Sequence, residues 1–224
     1  MACLVGWVSA ISGRFRQKRM ERFVAEFGVS AETRILDVGG AADCWDEVRP
    51  RPRVTLLNMP RAFTELCPEF CLVAGDGRRL PFADGSFDVV FSNSVIEHVG
   101  DAASQALFAQ EVARVGRGYW VQTPNRWFPV EQHLLTPVIH WLPKGWQRAL
   151  VPRWTVWGLL TKVSADQREF YLAHYLRDAR LLGRGEIKRL FPGARVIRER
   201  CCGLTKSLVA VSNSAPQAEF HQSG

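Results

Sequence analysis

The sequence lacks a long apolar run and lacks the arrangement of a secretory signal. No stretch reaches the roughly 18 apolar residues that a membrane-spanning helix needs, although 47% of the 224 residues are hydrophobic. The apolar residues 1–11 come before the basic cluster that begins at Arg14, which is the reverse of a secretory signal. We therefore expect a cytoplasmic protein that at most lies against the inner face of a membrane.

Cysteine motifs are also missing. The six cysteines form no CxxC pair, and no histidine follows any of them at the spacing of a zinc finger. Free thiols in a reducing compartment are the expectation, and we predict no metal site.

Basic residues are in excess, 29 against 22 acidic residues, but they form no tail or stripe. The net charge of +7 raises the expectation of an anionic partner. Nucleic-acid surfaces gather their basic residues on one face and interleave them with aromatic residues. Here 24 of the 29 are arginines scattered among apolar positions. We therefore do not expect a nucleic-acid surface, although the charge keeps an RNA-directed enzyme as a lesser alternative.

Short apolar segments alternate with helical patterns, which indicates an α/β protein. Strands are predicted at 34–38, 54–57, 70–74, 87–91, 119–123, 195–200 and 207–211. Helices are predicted at 14–27, at 41–48, after the capping residue Asp101, and at 166–190. The helix after Asp101 is expected to bury Leu107, Phe108, Val112 and Val115. This alternation predicts a three-layer, doubly wound, mostly parallel sheet covered on both faces.

Composition divides the chain into three parts. Residues 1–30 form an amphipathic helical segment, residues 31–212 form the main domain, and the polar residues 213–224 are expected to be disordered. Within the domain, residues 125–165 carry four prolines and five tryptophans without a clean period. We interpret them as an insertion over the sheet, suited either to cover an apolar acceptor or to contact a membrane.

Informative polar groups stand where the first four strands end, which is where ligands bind in an open parallel sheet. The glycines after the first strand let backbone approach a ligand closely. They do not form a GxGxxG pattern, which argues against a nucleotide-dependent oxidoreductase. The candidate residues are Asp37, Gly39 and Gly40; Asn58 and Met59; Asp76 and Gly77; and Ser92 and Asn93.

Two runs resemble the class I S-adenosylmethionine-dependent methyltransferases of the small-molecule, type 11-like group. They are Ile35-Leu36-Asp37-Val38-Gly39-Gly40 and the more specific series from Ala74 to Val90, which reads AGDGRRLPFADGSFDVV. The resemblance implies a Rossmann-like sheet of seven strands whose last strand is antiparallel. It also implies S-adenosyl-L-methionine as the cofactor, lying across the ends of the first four strands.

The resemblance assigns a role to most of the candidate residues. Gly39 and Gly40 would line the methionine part, and Asp37 would position the amino group or the loop. Asn58, followed by Met59, would meet the ribose. Asp76 and the backbone at Gly77 would meet the adenine. From the strand ends themselves, Ser92, Asn93 and Ser94 are expected to face the space between cofactor and substrate.

The sequence departs from the family pattern at three positions. Ala41 and Asp43 stand where further glycines are usual, and Asn58 replaces an acidic residue. A carboxylate accepts hydrogen bonds from hydroxyl groups more strongly than an amide does. These departures motivate the alternative of a module that keeps the fold without catalysing.

Methyl transfer from a sulfonium depends mainly on positioning and on exclusion of water. A general base is needed only if the acceptor keeps its proton. The candidates are His98, after the fourth strand, and Glu131 and His133, after the fifth. The leading hypothesis is an enzyme that methylates a small acceptor, lipophilic or glycan-linked.

Overall fold

The computed structural model describes residues 2–60, 69–131, 136–143, 145–147 and 179–213, without the side chains of residues 2–12, 131 and 136. Most of the predicted insertion, the first part of the helix predicted at 166–190 and the tail beyond Asn213 lie outside the described residues.

Seven strands form one sheet in the order β3-β2-β1-β4-β5-β9-β8. Its members are β1 (Arg34–Val38), β2 (Arg53–Asn58), β3 (Cys71–Ala74), β4 (Phe87–Asn93), β5 (Gly116–Pro124), β8 (Arg195–Cys201) and β9 (Leu204–Ser212). The first five pair in parallel, whereas β9 is antiparallel to both of its neighbours. The predicted mostly parallel sheet of seven strands with an antiparallel last strand is confirmed. A separate ribbon pairs β6 (Val130–Glu131) with β7 (Thr136–Pro137).

Helices cover both faces of the sheet. Helix α1 (Ala2–Phe27) packs on one face, where the fully buried Phe23 ring meets Phe91 and Trp120 edge to face. Helix α2 (Ala102–Val115) packs on the other face through residues such as Phe108 and Val112, and a short helix α3 (Arg184–Leu190) packs beside it. Central strands are apolar along most of their length because both faces are covered.

Helix α2 begins as predicted, but its buried face differs from the expectation. The Asp101 side chain accepts a hydrogen bond from the Ser104 amide at 2.8 Å, the usual N-cap contact. Leu107, however, is 51% exposed, while Gln105 is fully buried. Successive residues of an α-helix are about 100° apart, so the turn that buries Phe108 and Val112 directs Leu107 to solvent. The prediction of Leu107 in the core was wrong.

In the described part of the helix predicted at 166–190, only Arg184–Leu190 is helical. Residues 179–183 are irregular, and α3 begins only at Arg184. The backbone there is hydrogen-bonded to the segment after β5 instead, because the Arg126 amide donates to the Leu182 carbonyl at 3.0 Å. Glu186 accepts from the Gly183 amide at 2.9 Å and so satisfies a donor at the start of α3.

Helix α1 runs along the strand direction, between the two ends of the sheet. Near its C-terminal end, Asn213, which directly follows β9, donates to Glu26 at 3.0 Å. Further toward its N-terminus, Arg16 pairs with Asp43 in the loop after β1 at 3.4 Å. The chain before Arg16 therefore lies at the edge where the parallel strands end, which we call the carboxyl edge.

Candidate functional site

A cavity of about 920 Å³ lies at the carboxyl edge, bounded by the loops after β1, β2, β3 and β4. Its volume is within the range of small-molecule sites, roughly 300–1,000 Å³. Of the candidate residues, Gly39, Asn58, Met59, Asp76, Gly77 and His98 line it. Asp37, Gly40, Ser92 and Asn93 do not line it.

Asp37 supports the first loop from below. Its side chain is fully buried, and its Oδ2 atom accepts a hydrogen bond from the Trp45 indole N–H at 2.8 Å. The other oxygen, Oδ1, is buried without a hydrogen-bond partner among the described residues. Burial raises the pKa of Asp37 to about 7. This carboxylic group therefore changes charge near neutral pH.

Both glycines of the first loop are required by their surroundings. Gly39 has a φ of +76°, and a Cβ there would press into the Val95 side chain across the cavity. A Cβ on Gly40 would overlap the carboxyl group of Asp37. The loop therefore passes close over Asp37 and presents bare backbone to the cavity.

Asn58 joins the second strand to the first loop. Its amide Nδ2 donates to the Gly40 carbonyl at 2.8 Å, a contact that an ionised carboxylate could not make. The departure from an acidic residue thus has a structural reason. The amide oxygen of Asn58 remains an acceptor at the cavity wall.

Asp76 is paired within its own loop. Arg78 donates to the Asp76 carboxylate from its backbone amide at 2.9 Å, from Nε at 3.0 Å and from Nη2 at 2.6 Å. These contacts lower the pKa of Asp76, so it is ionised at neutral pH. Both carboxylate oxygens accept from Arg78, which leaves acceptor capacity on Asp76 for one further donor, such as the amine of a nucleobase.

Of the three residues expected at the end of β4, only Ser94 lines the cavity. Ser92 is fully buried, and its hydroxyl donates to the Val38 carbonyl at 3.2 Å. Asn93 accepts a short hydrogen bond from Arg19 of α1, which also forms a two-pronged ion pair with Glu199 of β8 at 2.6 and 2.8 Å. The next two residues, Ser94 and Val95, line the cavity instead.

The three candidate bases fall into two groups. His98 lines the cavity. Its neighbour Glu97 is fully buried and accepts from the Thr123 hydroxyl at 3.0 Å, which links the loop after β4 to β5. Glu131 belongs to β6, but its side chain is not described, and His133 lies outside the described residues.

Arg180 lines the cavity as well and was not predicted from the sequence. Its backbone amide donates to the Glu97 carbonyl at 2.7 Å, and its guanidinium pairs with Glu186 at 2.7 Å. The buried Gln105 accepts from the same guanidinium and donates to the Arg180 carbonyl at 2.9 Å. No local sequence signal connects residue 180 with the end of β4.

The part of the chain that the structure covers shows neither a metal-binding cluster nor a membrane-spanning helix. No group of three or more His, Cys, Asp or Glu residues there is placed to hold a metal ion. None of the helices described combines the length and apolar character needed to cross a membrane.

Part of the chain resembles a known family of domains. Residues 48–118 match the family model described as Methyltransferase domain. This match covers the specific run from Ala74 to Val90, so the predicted resemblance to class I methyltransferases is confirmed at the level of domain and fold. No curated protein sequence matches the chain significantly.

Solved structures share the fold across most of the chain. One is from the complex of the Haloferax volcanii Trm112 methyltransferase activator with a candidate methyltransferase: TM-score 0.55, 16% identity, 96% of this chain and 97% of that one. A protein from Pyrococcus horikoshii has a TM-score of 0.56 and 15% sequence identity, and the match covers 90% of this chain and 91% of that one. The N-terminal domain of EvdMO1 was solved in the presence of S-adenosylhomocysteine (SAH) and D-fucose. It has a TM-score of 0.52 and 20% sequence identity, and the match covers 89% of this chain and 82% of that one. Identities this low establish the fold alone.

Proposed function

We propose that this protein is an S-adenosylmethionine-dependent methyltransferase that acts on a small acceptor, lipophilic or glycan-linked, by in-line methyl transfer. One observation carries the proposal. The cavity at the carboxyl edge joins Gly39, Asn58 and Gly77, from the ends of three adjacent strands, within a chain that matches a methyltransferase domain.

The residues of the cavity fit the cofactor in size and in polarity. The bare backbone at Gly39 would hold the methionine part, and the amide oxygen of Asn58 would accept from a ribose hydroxyl. The buried Oδ1 of Asp37 offers an acceptor below the loop. Gly77 lies close to the Phe108 ring and both line the cavity, so the backbone at Gly77 and this ring would meet the adenine.

When bound, S-adenosylmethionine supplies a methyl group on a positively charged sulfur. The contribution of the chain is to hold the acceptor in line and to exclude water. For an acceptor that keeps its proton, we propose His98 as the base because its side chain lines the cavity. Glu131 and His133, in the segment after β5, are proposed as the alternative.

The strand order favours this function over a nicotinamide oxidoreductase. The usual dinucleotide fold has six strands in the order 3-2-1-4-5-6. Here β9 is inserted antiparallel between β5 and β8. The first loop also lacks the GxGxxG pattern.

The second candidate is a methyltransferase-fold module without catalytic activity. Two contacts favour it: Arg78 occupies both carboxylate oxygens of Asp76, and the Asn58 amide is bonded to Gly40. In that case the cavity would bind the cofactor weakly or not at all.

Calorimetry with S-adenosylmethionine and SAH separates the two candidates. We expect the full chain to bind both, and Asp76→Ala to weaken binding by about tenfold, the loss of one charge-assisted hydrogen bond. The matched control is Asp84→Ala, because Asp84 is also paired with an arginine but lies away from the cavity. Failure of the wild type to bind at millimolar cofactor would refute the proposed enzyme function. If the cofactor binds, a screen of cell-extract fractions with radiolabelled methyl donor would identify the acceptor.

A further inference from the structure

Exposed apolar side chains are concentrated at the carboxyl edge. Among the large hydrophobic side chains exposed in the described residues, all except Leu107 follow the end of a parallel strand or begin the antiparallel β9. They are Met59, Trp127, Val138, Trp141, Trp146 and Leu204. Trp127 is 68% exposed and Trp146 65% exposed. Exposed apolar surface collected in one place marks an interaction site.

The segment after β5 is held firmly at this edge. The indole N–H of Trp141 donates to the Arg126 carbonyl at 2.7 Å, and His140 contacts the same carbonyl at 3.0 Å. The Val138 amide donates to the Pro129 carbonyl at 2.7 Å. The exposure of Trp127 and Val138 is therefore a property of an ordered surface.

Helix α1 extends beyond the same edge. The amino group of Lys206, near the start of β9, lies 4.3 Å from the centre of the Phe15 ring. Residues 2–12 continue the helix for roughly 16 Å at 1.5 Å per residue, and their sequence contains no charged residue. The exposed basic residues Arg14 and Lys18 follow within the next two turns.

We propose that the carboxyl edge is a docking surface for an anionic lipid bilayer. Residues 2–12 lie in the interface, and Trp127 and Trp146 enter the headgroup region, where indole rings partition. Arg14 and Lys18 meet the anionic headgroups, and each basic residue at such a surface strengthens binding about fivefold. A bilayer fits this edge better than RNA, because exposed tryptophans share the edge with a helical segment that carries no charged residue, whereas single-stranded nucleic acid binds in a positively charged groove.

This orientation turns the carboxyl edge, where the cavity lies, toward the lipid. If the proposed methyltransferase function holds, a lipophilic acceptor reaches the cavity directly from the bilayer, and the acceptor class is a lipid or a lipid-linked molecule. The docking surface itself does not depend on catalysis.

Vesicle sedimentation with the full chain tests the proposal. We expect binding to vesicles of phosphatidylcholine mixed with phosphatidylglycerol, and at least tenfold weaker binding to phosphatidylcholine alone. The double variant Trp127→Ala/Trp146→Ala should weaken binding to the anionic vesicles at least tenfold. Trp7→Asp, which introduces a charge into the uncharged helical segment, should do the same.

The matched control is Leu107→Ala, an exposed apolar residue on α2 that lies away from this edge. It should bind vesicles as the wild type does, and SAH calorimetry on every variant reports separately on the cofactor site. The proposal is overturned if the wild type binds neither kind of vesicle, if Leu107→Ala loses binding as much as the tryptophan variant, or if the protein binds RNA and not vesicles. If the wild type bound vesicles but not SAH, the proposed methyltransferase function would be refuted and the docking surface would stand.

Discussion

Replacing Gly40 by alanine tests whether the first loop is held by the buried carboxyl group beneath it. A Cβ at position 40 overlaps the carboxyl atoms of Asp37, which is fully buried and bonded to Trp45. The φ of Gly40 is not in the left-handed region, so steric overlap alone is at issue.

The expected cost has two parts. Moving the Asp37 carboxyl group breaks its bond to the Trp45 indole and leaves a buried polar group unsatisfied, at about 1–3 kcal/mol. Overpacking of a tight interior adds about 1–3 kcal/mol. Together they lower the free energy of unfolding by roughly 2–6 kcal/mol, which for a domain of this size lowers Tm by roughly 5–20 °C.

The assay is thermal unfolding of Gly40→Ala beside two other variants. Gly185→Ala is the control, because it lies within α3 with nothing close to its added Cβ, and it should be neutral or slightly stabilising. In an Asp37→Ala background the overlapping atoms are gone, so adding Gly40→Ala should cost almost nothing further. An unchanged Tm for the single variant, or an equal loss in both backgrounds, would refute the reasoning.

The remaining predictions concern the charged and polar groups at the cavity. The pKa of Asp37 is about 7 in the folded chain and about 3.9 when unfolded, so stability should fall as pH rises between them, by up to about 4 kcal/mol. Asp37→Asn should flatten this fall in urea titrations, and an unchanged slope would contradict the shift. Asn58→Asp removes the donor to the Gly40 carbonyl and should weaken SAH binding about tenfold at pH 8, with partial recovery on acidification. A pH-independent loss would argue against this contact. Arg78→Ala releases Asp76 and should tighten SAH binding in calorimetry, whereas weaker binding would show that Arg78 itself holds the ligand.

Local patterns predicted the framework of this protein well. The seven strands, the capping role of Asp101 and the glycines of the first loop each depend on residues close in sequence. Leu107 was assigned wrongly because apolar character alone does not give its angular position on the helix. Asn58 appeared as a departure from the family pattern, and only the structure connects its amide to Gly40.

Long-range contacts at the cavity could not be predicted. Arg180 reaches the wall through Glu97, Gln105 and Glu186, which come from three separate elements. The pairing of Asp76 with Arg78 is a choice between side-chain conformations that composition does not determine. Sequence reasoning therefore predicted several residues that line the cavity but not the hydrogen bonds of its polar groups.

The ion pair between Arg19 and Glu199 connects residues 180 positions apart in the chain. Strand β9, which lies between β5 and β8, is the last strand of this sheet to be synthesised. During synthesis Arg19 of α1 therefore has no ion-pair partner until Glu199 of β8 has been made. One side of β5 likewise stays unpaired until β9 has been made. Contacts so distant in sequence slow folding, and a nascent chain of this protein exposes apolar strand surface until the hairpin of β8 and β9 has emerged.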